Sequence, residues 1–415
     1  MKDEGKGMPN NETQEEQTSE QQTSEQQTLE QQTLEQQTTE NQTSENQTPE
    51  QAKPKKKMSK KKKVILIVVS SIVGLLLILL LAGYLMLRNY IGKINIVDRD
   101  DNDRVEVIDG DIEDEEDEEI DPNQTDSPEE DIKSAEEEIR KNLEENSTPI
   151  KSDEDVLNIL LIGNDSRKDN TSGRSDAMIL VSINSKTNKI IATSLLRDIY
   201  LQIPGKSNNR LNASYAFGGA KLLMQTVEQN FKIKIDRYVA VNFYAFMDAV
   251  DAVGGVNLEV SQEEIPIINN YIRSLNTLTG KDTEAELLTQ PGQLLLTGKQ
   301  ALGYARNRYI GSDFERTARQ RRVLEQVFNK VKKLGIFELN DLLNQILPQI
   351  TTNLSEGEIF SLILSLPSYS GYDVEQWSIP VKGSYKFLRI QRKAVIGVDF
   401  SQNIKALHEK IYGEE

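Results

Sequence analysis

The chain has 415 residues, 37% of them hydrophobic, a formal net charge of −17, one histidine and no cysteine. With His408 alone among Lys405, Glu409 and Lys410, a Ser-His-Asp or Cys-His mechanism, or a zinc site built on histidine or cysteine, is hard to assemble, and His408 is expected at the surface. No DNA-binding pattern is recognisable and no P-loop or GxGxxG motif follows a strand, so neither nucleic acid nor a nucleotide held by those motifs is expected as a partner.

Residues 1–52 form a polar tract that repeats TSEQQ, TLEQQ and TTENQ units from Thr18. Its period of five makes no helical stripe, and such a composition cannot bury enough surface to offset ordering entropy. A lysine cluster follows, from Lys53 to Lys63, directly before an uncharged run from Val64 to Leu87. At about 1.5 Å per residue that run is long enough for a hydrocarbon core of about 30 Å, and the lysines predict a cytoplasmic N-terminal side. The expected organisation is a disordered cytoplasmic tail over 1–63, an uncleaved transmembrane helix over 64–87, and everything beyond it extracellular. Residues 88–150 are acidic, with EDEEDEE at Glu113 to Glu119, and predict an extended spacer with one short helix near Ser134 to Glu145.

The remainder, 151–413, has the pattern of one α/β unit. Strands are predicted at Val156–Gly163, Ala177–Asn184, Lys189–Leu196, Tyr238–Phe243, Val256–Val260 and Val374–Ile379. Helices are predicted at Asn212–Phe231, Ala245–Ala252, Thr297–Arg306, Phe314–Leu334, Leu339–Ile350, Glu356–Leu366 and Gln402–Tyr412. Residues 261–292 lack a strong period and are expected to form a long insert or flap. Strands interleaved with helices imply a central sheet covered on both faces.

The stretch YARNRYIGSDFERTARQRR, Tyr304 to Arg322, concentrates Arg306, Arg308, Arg316, Arg319, Arg321 and Arg322 in an otherwise acidic chain. Such a cluster repels itself unless an anion sits within it or the side chains fan into solvent. The helix from Phe314 carries an apolar stripe of Val323, Leu324, Val327, Phe328 and Val331. Projected back at about 100° per residue, the stripe takes in Arg316 and Gln320, leaves Arg319 and Arg321 at its margins, and excludes Arg322. Arg316 therefore points into the fold, where an unpaired charge is costly. Phosphate or pyrophosphate suits the guanidinium fork, and salt bridges to Asp313, Glu315 and Glu325 are the alternative. Arg321 and Arg322 are expected to be solvated.

Further charged groups lie at predicted strand ends: Asp165 and Arg167 in GNDSR, Arg174 and Asp176 in GRSDA, Arg197 and Asp198 in SLLRD. Two aspartates on adjacent loops can share Mg²⁺, which favours oxygen ligands, while arginines neutralise charge in a transfer reaction. Taken singly, each aspartate is more often a loop cap or turn residue, and it is the constellation that shifts the reading towards a site.

Taken together, GNDSR, GRSDA, SLLRD, RLNASYAFGG and YARNR with GSDFERTARQ resemble the LytR-CpsA-Psr family from about Leu157 to Lys333. The resemblance implies an α/β/α sandwich with a central mixed sheet and an apolar prenyl pocket, for which Ala213, Tyr215, Phe217, Leu222 and Leu223 are candidates. It implies a phosphotransferase that moves an anionic glycopolymer, such as teichoic acid or capsule, from an undecaprenyl-pyrophosphate carrier to peptidoglycan through a phosphodiester. By the same resemblance Asp165 and Asp176 are magnesium ligands, and Arg197, Arg306, Arg308, Arg316 and Arg319 surround the pyrophosphate with Gln320 beside them. Asp313 orients these arginines or assists the acceptor hydroxyl, and Arg167 and Arg210 are further substrate contacts. Arg210 stands where the family often has lysine, and Leu196 where proline usually precedes the arginine. A polyprenyl-pyrophosphate hydrolase and a non-catalytic polyprenyl-phosphate-binding regulator are the alternatives.

Overall fold

The computed structural model describes residues 80–97, 125–164 and 173–413, together with positions 75, 77 and 78. The expected tail over 1–63, part of the apolar run over 64–87, the acidic run at Glu113 to Glu119, Asp165 and Arg167 lie outside the described residues. Among those described, no helix is long and apolar enough to cross a membrane. The sheet and its surrounding helices belong to one compact unit, residues 78–415.

After a helix over 80–91, the elements are β1 (Asn95–Ile96), α1 (Glu129–Arg140), β2 (Val156–Asn164), β3 (Ser175–Asn184), β4 (Lys189–Leu195), β5 (Tyr200–Gln202) and β6 (Asn208–Arg210). Then come α2 (Leu211–Phe231), β7 (Arg237–Asn242), α3 (Phe243–Ala252), β8 (Val256–Val260), α4 (Glu264–Leu278), β9 (Gly292–Leu296), α5 (Gly298–Arg306) and α6 (Asp313–Val331). The chain continues through α7 (Ile336–Ile346), β10 (Ile350–Thr352), α8 (Glu356–Tyr369), β11 (Asp373–Ile379), β12 (Tyr385–Ile390), β13 (Lys393–Val398) and α9 (Phe400–Tyr412).

Seven strands form one mixed sheet in the order β1-β10-β7-β2-β3-β4-β11. β2 runs parallel to β7 and antiparallel to β3, and β11 is parallel to β4. Every residue of β2 and β3 is buried or half-buried and none is exposed, as a sheet covered on both faces requires. In β7, Tyr238 and Ala240 enter the core shared with α2 and α9, while Val239 on the other face joins Ile91, Leu354 and Ile359. Phe231 of α2 meets Phe400 of α9 with ring centroids 6.1 Å apart. Both rings are almost wholly buried, and truncating either to alanine costs about 3–5 kcal/mol.

The folded body begins before residue 151. Acidic side chains open α1 and Arg140 closes it, complementing the helix dipole, while Ala135 and Ile139 enter the main core. The Ser127 amide donates to the Arg389 carbonyl at 2.9 Å, and the Arg392 amide to Asp126 at 2.6 Å. The acidic spacer expected over 88–150 thus ends in a packed helix.

Residues 261–292 are not a flap. Ile265, Ile268 and Ile272 recur at helical spacing and bury one face of α4, and Gly292 starts β9, which pairs with β8. Asn269 donates to the Leu288 carbonyl at 2.9 Å and accepts from its amide at 2.8 Å, while Asn276 donates to the Ala285 carbonyl at 2.9 Å. These bonds pin the segment that follows the helix.

Candidate active site

The cleft opens where β2 and the parallel β7 end and β3 begins, the position at which α/β sheets present ligands. Gly163, Val241 and Asn242 come from the two parallel strand ends and Asp176 from the second residue of β3. Arg197 follows β4, Arg306 closes α5, Arg308 lies just beyond it, and α6 supplies Arg316 and Gln320. The cleft encloses about 570 Å³, counted to its open mouth.

Local chemistry holds these elements in place. Asn242 caps α3 by accepting from the Ala245 amide at 2.9 Å, and Ser312 and Glu315 form a capping box at the start of α6. Gly298 lets α5 approach α3: its amide donates to Asp251 at 2.6 Å, and a Cβ there would lie 2.3 Å from the Met247 carbonyl oxygen. Arg306 is sandwiched between Phe243, 4.5 Å from its ring centre, and Tyr271, at 5.1 Å. The Tyr271 hydroxyl donates to the Arg306 carbonyl at 3.2 Å. Burial pushes its pKa up, against the pull of Arg306 and Arg308.

Asp176 is the electrostatic centre. One oxygen accepts from Arg197 Nη1 at 2.7 Å and lies 3.9 Å from Arg316 Nη1, and the other lies 3.7 Å from Arg306 Nη2. Burial alone would raise its pKa, but Arg197, Arg306 and Arg316 outweigh that and hold the carboxyl at about 2. Among the described residues, the lining carries four guanidinium groups against one carboxylate, an excess of three positive charges. Arg316 also pairs with Asp313, three residues earlier on α6, and its Nε has no hydrogen-bond acceptor among the described residues. Burial and the nearby Asp198 push the Asp313 pKa up, with Arg316 and Arg197 opposing them.

Asp176, Arg197, Arg306, Arg308, Arg316 and Gln320 are thus brought to one cleft. Arg319 is not. It is buried, donates to Glu264 at 3.0 Å and to the Asn307 carbonyl at 3.3 Å, and bonds the Ile310 carbonyl as well. Arg210 does not line the cleft either; it lies 3.6 Å from Asp198, which also lies 3.6 Å from Arg197 Nε. Arg321, expected in solvent, is half-buried and donates to Ser194 at 2.6 Å, while Arg322 is exposed. The expected prenyl-pocket residues do not border this cleft: Ala213 and Leu223 lie in the main core, with Tyr215, Phe217 and Leu222 packed against it. The aromatic walls come instead from Phe243, Phe246 and Tyr271. His408, placed at the surface by its neighbours in sequence, is half-buried with Nε2 2.9 Å from the Lys232 carbonyl.

A divalent cation finds only part of a site here. Asp176 is an ionised oxygen donor, as a hard cation requires, but both of its oxygens face guanidinium groups. No group of three acidic or histidine ligands occurs among the described residues, and Asp165, the second ligand expected, lies outside them.

A mixed sheet ringed by helices, with a guanidinium-lined cleft around one ionised carboxylate, defines an α/β protein equipped to hold a polyanion such as a phosphate ester. Residues 123–402 match the LytR_cpsA_psr family, and the chain belongs to that family. Over 297 residues it is 32% identical to biofilm regulatory protein A of Streptococcus mutans, covering 63% of this chain and 70% of the relative. Over 247 residues it is 32% identical to the polyisoprenyl-teichoic acid–peptidoglycan teichoic acid transferase TagT of Bacillus subtilis, covering 58% and 74%. Among solved structures, protein gbs0355 from Streptococcus agalactiae superposes with a TM-score of 0.52 at 29% identity, covering 63% of this chain and 89% of that one. TagT bound to LI-WTA gives 0.50 at 27% identity, covering 64% and 94%.

Proposed function

We propose that the chain is a membrane-anchored transferase that moves an anionic glycopolymer from a polyprenyl-pyrophosphate carrier onto peptidoglycan. The observation that carries this reading is the excess of guanidinium groups around the ionised Asp176, in a family whose relatives include teichoic acid transferases acting between a polyisoprenyl carrier and peptidoglycan. A hydroxyl oxygen of peptidoglycan attacks the phosphorus attached to the glycopolymer. A new phosphodiester bond forms, the bridging P–O bond of the pyrophosphate breaks, and polyprenyl monophosphate leaves with that oxygen.

Arg306, Arg308 and Arg316 hold the pyrophosphate oxygens, and Arg197 joins them across Asp176. Their planar forks match phosphate and neutralise the charge that grows on the bridging oxygen. The two aromatic rings that flank Arg306 keep its guanidinium in one plane. Asp313, whose pKa is raised, takes the proton of the acceptor hydroxyl or orients Arg316 for the attack. Magnesium held by Asp165 and Asp176 would polarise phosphate oxygens when bound. The apolar run 64–87 anchors the domain, with the lysine cluster on the cytoplasmic side and the cleft outside, near the carrier lipid.

To test this reading, the full chain in vesicles is given a polyprenyl-pyrophosphate glycan and an uncrosslinked peptidoglycan oligomer, with Mg²⁺ or EDTA, and products are read by mass spectrometry. A conjugate together with polyprenyl monophosphate, absent with EDTA, is the expected result. Monophosphate without conjugate would mark a hydrolase, and intact bound donor a binding module.

A further inference from the structure

We infer that the start of α7 and the end of α8 form a second membrane contact, which lays the external domain against the outer leaflet. The inference rests on the reading of 64–87 as a spanning helix.

The helix over 80–91 gives both elements a common direction. Its end is tied to α7: the Tyr90 hydroxyl donates to Asn340 at 2.6 Å, and Lys93 donates to Asn344. Residue numbers rise together along the two segments, so moving back along α7 from Asn340 moves back along the helix towards its apolar residues. There α7 begins with Ile336 and Phe337, which are 69% and 83% exposed.

α8 runs the opposite way. Ile91 clusters with Leu354 and Ile359, and the Tyr84 ring meets Phe360 at 5.9 Å, so moving forward along α8 again moves towards the apolar residues of the helix. There α8 presents Leu364 and Leu366, 65% and 58% exposed. From Ile359 to Tyr369 the segment carries no charged residue, an unusual composition for an exposed helix.

Two helices that enter the contact in opposite directions thus expose apolar side chains at the same end, the end where Leu80, Leu81 and Leu85 of the 80–91 helix are also exposed. Exposed apolar side chains gathered in this way mark a contact surface. Their continuity with the helix that follows the spanning run selects a bilayer as the partner. Lys332 and Lys333 stand exposed just before Ile336, suited to anionic headgroups in a chain that is otherwise acidic. Of the acidic residues of α7, Glu338 is held within its cap, accepting from the Gly335 amide at 2.8 Å, and Asp341 stands exposed one turn beyond Phe337, away from the helix start.

Because the chain has no cysteine, single spin labels can be placed cleanly through Leu81→Cys, Phe337→Cys, Leu364→Cys and Lys405→Cys. Lys405 lies on α9, which packs on the other face of the sheet. The full chain is reconstituted in vesicles of phosphatidylglycerol and phosphatidylethanolamine, and each label is tested against oxygen, which concentrates in lipid, and a water-soluble nickel chelate. The inference predicts a several-fold higher oxygen-to-nickel ratio at 337 and 364 than at 405, approaching that at 81. Labels at 337 and 364 that behave like 405 while 81 is in lipid would overturn it and leave the anchor standing. Labels shielded from both reagents would assign the face to a second protein or a second copy, and also overturn it. A water-exposed label at 81 would remove the anchor and this contact together.

Discussion

Arg316 and Arg319 lie less than one turn apart on α6 and are almost equally buried, at 2% and 3% exposed, yet they do different work. Arg319 is consumed by the fold: Glu264 and two backbone carbonyls take its fork, and it does not border the cleft. Arg316 faces Asp176 at 3.9 Å, alongside Arg197 and Arg306, in a group with more guanidinium than carboxylate. Burial alone does not distinguish a structural arginine from a substrate-holding one. The balance of partners does.

Removing each arginine should separate the two roles. Arg319→Ala leaves Glu264 buried without its cation, which costs about 3–5 kcal/mol and should appear as a large fall in Tm. Arg316→Ala should lower the transfer rate about 10²–10³-fold with a smaller fall in Tm. Asp313, whose pKa is already raised, can take up a proton once its partner is gone, and the repulsion among the cleft arginines is relieved. Equal Tm losses in the two variants would erase the distinction.

Asp176 sharpens the comparison through pH. Its pKa of about 2 lies below the ordinary aspartate value, so its ionised form adds roughly 2 kcal/mol of stability that is complete above the unfolded value near 4. That contribution is lost as pH falls through about 2. Denaturant unfolding of Asp176→Asn and the parent chain should therefore differ fully at neutral pH and converge in strong acid. For Asp313 the shift is opposite. If it takes the acceptor proton, transfer should rise with pH through a value above the usual aspartate range of about 3.9, and Asp313→Asn should remove that limb from the pH–rate profile. The smallest effect is expected at Arg322, exposed and bonded to the Tyr304 hydroxyl at 3.1 Å: Arg322→Ala should change Tm and transfer little.

Periodicity placed Arg316 and Gln320 inward, because one apolar stripe on a regular helix suffices for that projection. It overstated the core further along, where Leu324 and Phe328 are exposed and only Val323 is fully buried. Arg319 could not be sorted from its own helix, because Glu264 lies in α4, 55 positions away. That helix was itself legible in Ile265, Ile268 and Ile272, but Pro266 and a run of polar residues obscured it. Ala135 and Ile139 are too few apolar positions to reveal α1 as a packed helix within an acidic stretch. The β12–β13 hairpin turns on Gln391 and Arg392, both at positive φ, without the glycine or asparagine that normally announces such a turn. The aromatic sandwich on Arg306 unites residues from α3 and α4, a meeting that only the tertiary fold discloses.

The most direct measurement is the affinity of the full chain, in vesicles, for a polyprenyl-pyrophosphate glycan, compared between the parent, Arg316→Ala and Arg319→Lys. Arg316→Ala is expected to weaken binding at least tenfold, a loss of about 1.4 kcal/mol or more, while folded Arg319→Lys binds as the parent does. Equal affinity in the parent and Arg316→Ala would contradict the proposed role of the cleft, because its charge excess would then not be what holds the pyrophosphate.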